Sequence, residues 1–408
     1  MSARAVFALG LVLVGALLGV PAAAVMGIVA LTVEVVHWIW RTQGLAGVRY
    51  VRHLGSPRIP WGEDASLDIE VWNRKGLPLA WLRADDAASL DLLVLERPTI
   101  ETEELGATLR NTWTLAPYER VVRHLRVTSH HRGVFTLGPA SLTVGDLFAR
   151  TAATVEQPHV DRVVVLPRTV PATSVVRPDR WGDLQRARQG LLEDPSRFAG
   201  VRPYSPGDPI RRIHARTSER LRAPMTKRFE PSREREVLIA LDLQVEPGPT
   251  WRLAVDQELV EALLVVTGSV ARSLAAERAA FGFTAAGYTG LPRRFADVRL
   301  SGAAGQAERV LEVLARLSSS PSATFETLLG RIERRSAPGT TILAITARDP
   351  LPFVPALRHL RRAGFGIALL AAGPQAAANA AAARGAGLSA RAATLDGPWP
   401  TATRLAIA

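Results

Sequence analysis

The chain opens on two apolar runs and then changes its hydrophobic period twice. Ala5–Val20 holds 16 uncharged, mostly apolar residues, and Ala22–Trp40 adds 19 more, interrupted only by Glu34 and His37. Each run is near the lower length limit for crossing a bilayer. Together they predict a transmembrane hairpin over residues 1–42, turning near Gly19-Val20-Pro21. One long tilted span is an alternative, and so is a signal peptide cleaved near Ala22-Ala23-Ala24, although cleavage would leave a long apolar segment behind. Arg4 flanks one end and Arg41, Arg49 and Arg52 the other, so the positive-inside bias puts both ends in the cytoplasm. The expectation is a multi-pass protein of the cell membrane with cytoplasmic soluble domains. Trp38 and Trp40 are interface anchors, and Glu34, within two turns of the end, reaches toward the headgroups.

From Val48 to Pro167 the period shortens to two. Leu67, Ile69 and Val71 alternate with polar residues, and Leu125 and Val127, Phe135 and Leu137, and Leu142 and Val144 follow the same rule. Turn signals at Asn73–Gly76, Arg132-Gly133, Gly138-Pro139 and Gly145-Asp146 separate them. Many short strands so spaced predict an antiparallel β-sandwich-like domain over residues 43–167. His124, His130 and His131 fall here, read as solvent-facing strand and turn residues rather than metal ligands.

Beyond residue 235 strands and helices alternate. Val237–Leu243, Ala280–Ala285, Thr341–Thr346 and Gly366–Ala371 read as buried strands. Ala254–Ala276, Gln306–Leu317, Phe325–Arg334, Pro355–Arg362 and the Ala-rich Gln375–Ala386 read as helices. This predicts a doubly wound α/β domain over residues 236–408, with ligands at the carboxyl ends of its strands, where Asp242 lies.

Composition narrows the chemistry. The 408 residues include no cysteine, which excludes disulfides, thiolate metal sites and a thiol nucleophile. The formal charge is +12 and almost all of the basic residues are arginine. Much of that excess lies in a basic linker over residues 168–235, where charge alone fits lipid headgroups, nucleic acid or an acidic protein face. Phosphate-binding glycine motifs, a GxSxG elbow and an HExxH helix are all absent. His214, Asp208 and Ser218 occur close together, which in a turn-rich tract reads as coincidence and not as a catalytic set.

One stretch within the linker is distinctive. Phe198, Gly200, Arg202, Tyr204, Pro206-Gly207-Asp208, Arg211 and Ile213 precede a strand that ends in Asp242. Together with HRGVFTLGPASLTVGDLF at 131–148 and VVLPRTVP at 164–171, they resemble the "domain of unknown function 58" family, whose C-terminal portion is similar to a von Willebrand factor A-type domain. His214, Arg216 and Arg220 complete the signature tract, although Ala215 and Glu219 depart from the family's usual Trp and Ala.

The resemblance implies a MoxR-type AAA+ ATPase partner and a role in assembling or maturing other, often envelope-related, proteins. It also implies a divalent-cation site built from Asp-x-Ser-x-Ser, a distant Thr and a late Asp. Here the first element is Asp242, Gln244 and Glu246, the Thr is Thr324, and Ala347 stands at the late position with Asp349 two residues on. Such a site is degenerate, so Mg²⁺ binding is expected to be weak or absent. Three roles fit the signature tract: a polar network packed by Phe198 and Tyr204, with Asp208 clamped by Arg202, Arg211 or Arg212; a docking face for an acidic partner; or a nucleic-acid patch, disfavoured because aromatics and cations do not recur as stacking platforms. The expected function is that of a non-enzymatic membrane scaffold or adaptor. A metal-dependent hydrolase using the Asp242 region is the alternative.

Overall fold

A computed structural model describes residues 3–96, 100–101, 106–146, 151–172, 193–206, 208–231, 236–245, 256–290 and 293–408. The chain divides into two units, Met1–Leu166 and Pro167–Ala408.

The first unit begins with α1 (Ala3–Leu17) and α2 (Pro21–Gln43), two apolar helices packed on one another. Glycine allows their close approach: a Cβ on Gly15 would lie 2.5 Å from the Ala24 nitrogen, and one on Gly27 2.6 Å from Val12. At 15 residues α1 is about 22 Å long, whereas the 23 residues of α2 reach about 34 Å. By length and composition α2 can cross a membrane and α1 falls short.

Among the described residues eleven strands follow: β1 (Val48–Leu54), β2 (Arg58–Ile59), β3 (Ala65–Asn73), β4 (Leu79–Ala88), β5 (Leu93–Val94), β6 (Ile100–Glu101), β7 (Ala107–Leu115), β8 (Arg120–Thr128), β9 (Gly133–Gly145), β10 (Thr151–Gln157) and β11 (Asp161–Val165). One sheet runs β1-β3-β8-β5, the other β2-β11-β9-β4-β7-β6 with β10 on the second half of β9. The two inner faces share one core. Leu67, Ile69, Val71, Leu125 and Val127 come from the first sheet, and Leu82, Leu109, Leu142, Val144 and Val163 from the second. The alternating pattern therefore forms a sandwich, as expected. Trp40 at the end of α2 is buried in the same core, which fastens the helix to the sheets. Arg52, a flanking cation by sequence, is instead buried, donating to Asp86 at 2.5 Å and to Asp161 at 2.8 Å.

The second unit starts earlier than composition suggests. Residues 168–172, assigned by sequence to the linker, are held by the C-terminal unit: Val170 N–H donates to Ser269 Oγ at 2.9 Å and Arg168 Nη2 to the Ala402 carbonyl at 2.6 Å. Farther along, β12 (Glu193–Pro203) and β13 (Met225–Pro231) form an antiparallel ribbon around α3 (Ala215–Leu221), so this part of the basic tract is also structured.

The main sheet then assembles from β14 (Glu236–Leu241), β15 (Ala280–Ala285), β16 (Ala296–Ser301), β17 (Thr341–Thr346), β18 (Gly366–Ala372), β19 (Ser389–Leu395) and β20 (Leu405–Ile407), in the order β16-β15-β14-β17-β18-β19-β20. The five strands β15-β14-β17-β18-β19 are parallel and the two edges antiparallel. The helices are α4 (Gln257–Ala276), α5 (Gln306–Arg316), α6 (Phe325–Arg335), α7 (Val354–Arg362) and α8 (Ala376–Gly385). Helices α6, α7 and α8 share a core with Leu238, Ala240, Ile342, Ala344 and Leu369, while α4 packs on β15 and α5. α4 is also long and apolar enough to span a membrane, but most of it is buried here, as a core helix. The chain leaves β14 toward β15 and returns to β17 on its other side, so the strand order reverses between β14 and β17. In open α/β sheets ligands sit at the carboxyl ends beside such a reversal.

Candidate functional site

At that position a buried ion pair is found. The Asp242 N–H still donates to Ile345 O at 2.9 Å, so the ladder with β17 delivers its carboxylate to the end of the sheet. The residue is 1% exposed. Its Oδ1 accepts the Gln244 N–H at 3.1 Å, and its Oδ2 accepts Thr346 Oγ1 at 3.0 Å and Arg348 Nε at 2.8 Å. Arg348 Nη2 also donates to Gln244 Oε1 at 3.4 Å and Glu326 Oε1 at 3.3 Å, and the guanidinium stands 4.9 Å from the Phe353 ring centroid. Burial pushes the Asp242 carboxyl up to about 6, against the opposing pull of Arg348. Burial also disfavours charge on Arg348, but Asp242 more than offsets it and holds the guanidinium protonated. At neutral pH the pair is ionised on both sides.

The other expected ligands have structural employment. Gln244 Oε1 accepts the Phe325 N–H at 3.2 Å, which fixes the start of α6. Thr324 caps that helix, its Oγ1 accepting the Thr327 N–H at 3.2 Å. The Ala347 carbonyl takes Asn379 Nδ2 at 3.0 Å, and Asp349 Oδ1 accepts the Leu351 N–H at 3.0 Å. Glu246 lies outside the described residues. Among the described residues no three His, Cys, Asp or Glu side chains converge on a point able to hold a metal. Arg348 is the residue that sequence reasoning missed. A lone arginine just past the end of a buried strand was the available signal.

The signature tract forms a separate arrangement in the same unit. Asp208 Oδ1 and Oδ2 take Arg202 Nη2 and Nη1 at 2.6 and 2.8 Å, and Oδ2 also accepts the Ser205 N–H at 3.0 Å and Thr226 Oγ1 at 3.3 Å. Of the three arginines within sequence reach, Arg202 is the one that closes bidentately. Its hydrogen bonds hold the Asp208 carboxyl below the usual carboxylate range. The clamp lies at the surface, with the Arg202 side chain 46% exposed. His214 Nδ1 accepts the Thr217 N–H at 3.2 Å and so caps α3, while Ser218 Oγ donates to the His214 carbonyl rather than meeting its ring. No Ser-His-Asp relay is formed by these three.

Gly200 has φ +146°, in a region that disfavours side chains, beside the irregularity where β12 slips its register. Tyr204 N–H donates to Pro224 O at 2.9 Å, and Ile213 bridges Thr226. Phe198, expected to pack the polar network as an apolar anchor, is 55% exposed and lies against the His214 ring with centroids 5.8 Å apart. A two-stranded ribbon has no second layer of its own in which to bury it. Arg211, Arg216 and Arg220 are exposed, and Gly207 lies outside the described residues.

Residues 200–298 match the family described as "Protein of unknown function DUF58". The DUF58 match thus begins inside the signature tract and runs through β14, Asp242 and Gln244 to β16. No curated protein matches the chain. Among solved structures, similarity is found to the CARDB domain of a Pyrococcus furiosus protein in complex with di-metal ions, at 15% identity and TM-score 0.21, covering 29% of this chain and 87% of that one. A cohesin module from a Clostridium perfringens family 33 glycoside hydrolase gives 12% identity and TM-score 0.20, covering 29% and 96%. Trypsin-activated alpha-2-macroglobulin from Escherichia coli gives 15% identity and TM-score 0.20, covering 41% of this chain and 9% of that one. Likenesses this weak carry no argument about function.

Proposed function

We propose that this protein is a membrane-anchored, non-enzymatic scaffold or adaptor whose C-terminal unit is a von Willebrand factor A-like domain with an internal cation in place of a metal. The Arg348–Asp242 pair at 2.8 Å carries this reading. Hard cations need several free oxygens at nearly fixed geometry. Here a guanidinium stands beside the Asp242 carboxylate, whose Oδ2 already accepts two hydrogen bonds, and Thr324 serves as a helix cap. Among the described residues this set does not fit Mg²⁺ or another divalent ion, which favours the scaffold reading over the hydrolase alternative. In this reading the arginine supplies the positive charge that a metal would otherwise bring beside Asp242.

The partner of this reading is a MoxR-type AAA+ ATPase, and the process is assembly or maturation of envelope-related proteins. Both are what the resemblance to DUF58 proteins implies, and the match over residues 200–298 supports that resemblance. The exposed Arg211, Arg216 and Arg220 supply a basic face for an acidic partner surface. Helices α1 and α2 form the anchor, supported by the apolar side chains exposed along them; this reading makes them a membrane hairpin, and the flanking Arg4, Arg41 and Arg49 put the soluble parts in the cytoplasm. No nucleic-acid role is proposed. The test is pull-down of the full chain from native membranes, read by mass spectrometry. Enrichment of an AAA+ ATPase at near-equal amount is expected. Its absence, together with Mg²⁺-dependent hydrolysis that needs Asp242, would overturn the proposal.

A further inference from the structure

The two N-terminal helices differ by eight residues, so α2 runs past the start of α1 by about 12 Å. Their packing sets Val12 against Gly27, which leaves the overhang at the carboxyl end of α2. A notch of about 580 Å³ opens there, lined by Ala5 of α1 and by Leu31, Glu34, His37, Trp38 and Arg41 of α2. Glu34, His37 and Arg41 lie three and four residues apart, hence along one helix face. His37 is fixed by Asp146, Nδ1 to Oδ2 at 2.8 Å, and forms a rigid wall. Trp38 is 60% exposed.

We infer that this notch binds the headgroup of a zwitterionic phospholipid carrying a primary ammonium, with Arg41 on the phosphate and Glu34 on the ammonium. The inference rests on the membrane-anchor reading above. Trp38 and Arg41 are residue types that settle at the interface, and the notch lies beside the start of the shorter α1. The notch offers one carboxylate and one guanidinium, which matches a headgroup of zero net charge with both signs. A choline headgroup has no N–H to donate, and a glycerol headgroup would bring a net negative charge to Glu34. A carboxylate has about four acceptor positions, so Glu34 can take an ammonium beside the contact it already makes. Leu31 and Ala5 provide an apolar lip for the glycerol and upper acyl carbons.

The test is native mass spectrometry of the full chain, released from detergent with equal amounts of palmitoyl-oleoyl phosphatidylethanolamine, phosphatidylcholine and phosphatidylglycerol. One phosphatidylethanolamine should be retained over phosphatidylcholine by about tenfold, the worth of one charge-assisted hydrogen bond. Glu34→Gln should bring phosphatidylethanolamine down to the phosphatidylcholine level, Glu34→Asp should restore part of it, and Arg41→Gln should lower all three lipids. Thermal melts of the sandwich certify that each variant is folded. Equal retention by the wild type, preference for phosphatidylglycerol, or an unaffected Glu34→Gln overturns the inference while leaving the anchor intact. Failure of the chain to float with vesicles of any of the three lipids overturns the anchor and the inference together.

Discussion

Arg348→Met isolates what the buried pair contributes. Methionine keeps an unbranched stem against Phe353 but removes the charge and the 2.8 Å bond to Asp242. Asp242, 1% exposed, is left with the Gln244 N–H and the Thr346 hydroxyl and no counter-charge. Removing one partner of a buried pair costs about 3–5 kcal/mol. The two remaining donors put the expected loss near the lower limit, about 3 kcal/mol. The pH dependence gives a second signature. Burial holds the folded Asp242 pKa at about 6, above its ordinary value, so the folded state binds more protons than the unfolded state between the two values. The stability this residue contributes is therefore full below its unfolded pKa and is lost as pH rises through the folded one.

Without Arg348 the folded pKa climbs further and that window extends through neutrality. The deficit of Arg348→Met should thus be largest above about pH 7 and shrink toward about pH 5, where the carboxyl carries a proton in both proteins. Hydrogen exchange of the β14, β17 and α6 amides in the full chain reads the local loss without assuming two-state unfolding. Adding Asp242→Asn should recover most of it, to within about 1 kcal/mol of wild type, because no buried charge then remains. A deficit under about 0.5 kcal/mol at neutral pH, one that does not change with pH, or a double variant as unstable as the single one would refute the reasoning.

Other outcomes follow from the same geometry. Calorimetry of the wild-type chain should show no Mg²⁺ affinity in the micromolar range; micromolar binding lost on Asp242→Ala would mean that the ligands suffice despite Arg348. With no native cysteine, single cysteines at Ser2 and Ser56 should both resist an impermeant thiol reagent in intact cells, and labelling of either one rejects the hairpin topology. Asp208→Ala should loosen the ribbon, seen as faster amide exchange at Ser205 and Val201, but leave the global melt nearly unchanged because the Arg202 half of the clamp is open to solvent and can hydrate when freed; a large drop in melting temperature would show that it is a core element. Arg220→Ala should melt like wild type and retain less of the ATPase, and unchanged capture would remove α3 from the docking face.

Much of the architecture was legible because burial writes a period into the chain. Leu67, Ile69 and Val71 alternate since one face of β3 meets the core, and VLIALDL and TILAIT are continuous since β14 and β17 are covered on both faces. The Ala-rich segment formed α8 as its composition suggested. β19, reading SARAATL, was not anticipated. Its alanines have little strand preference, and it becomes a strand by pairing with β18 on one side and β20 on the other.

Asp242 could be singled out from the sequence because it follows a buried strand directly. Its partner could not, since 106 residues separate Asp242 from Arg348 and only the parallel register of β14 with β17 brings the two strand ends together. The same holds for His37 with Asp146 and for the burial of Trp40: local pattern marked a membrane helix and a row of strands, and packing joined them. The chemical character of the cation at Asp242 is likewise a tertiary property. A carboxylate at a strand end is compatible with a metal, a cap or an arginine, and which of these it meets depends on the group that the neighbouring strand carries to within hydrogen-bond distance.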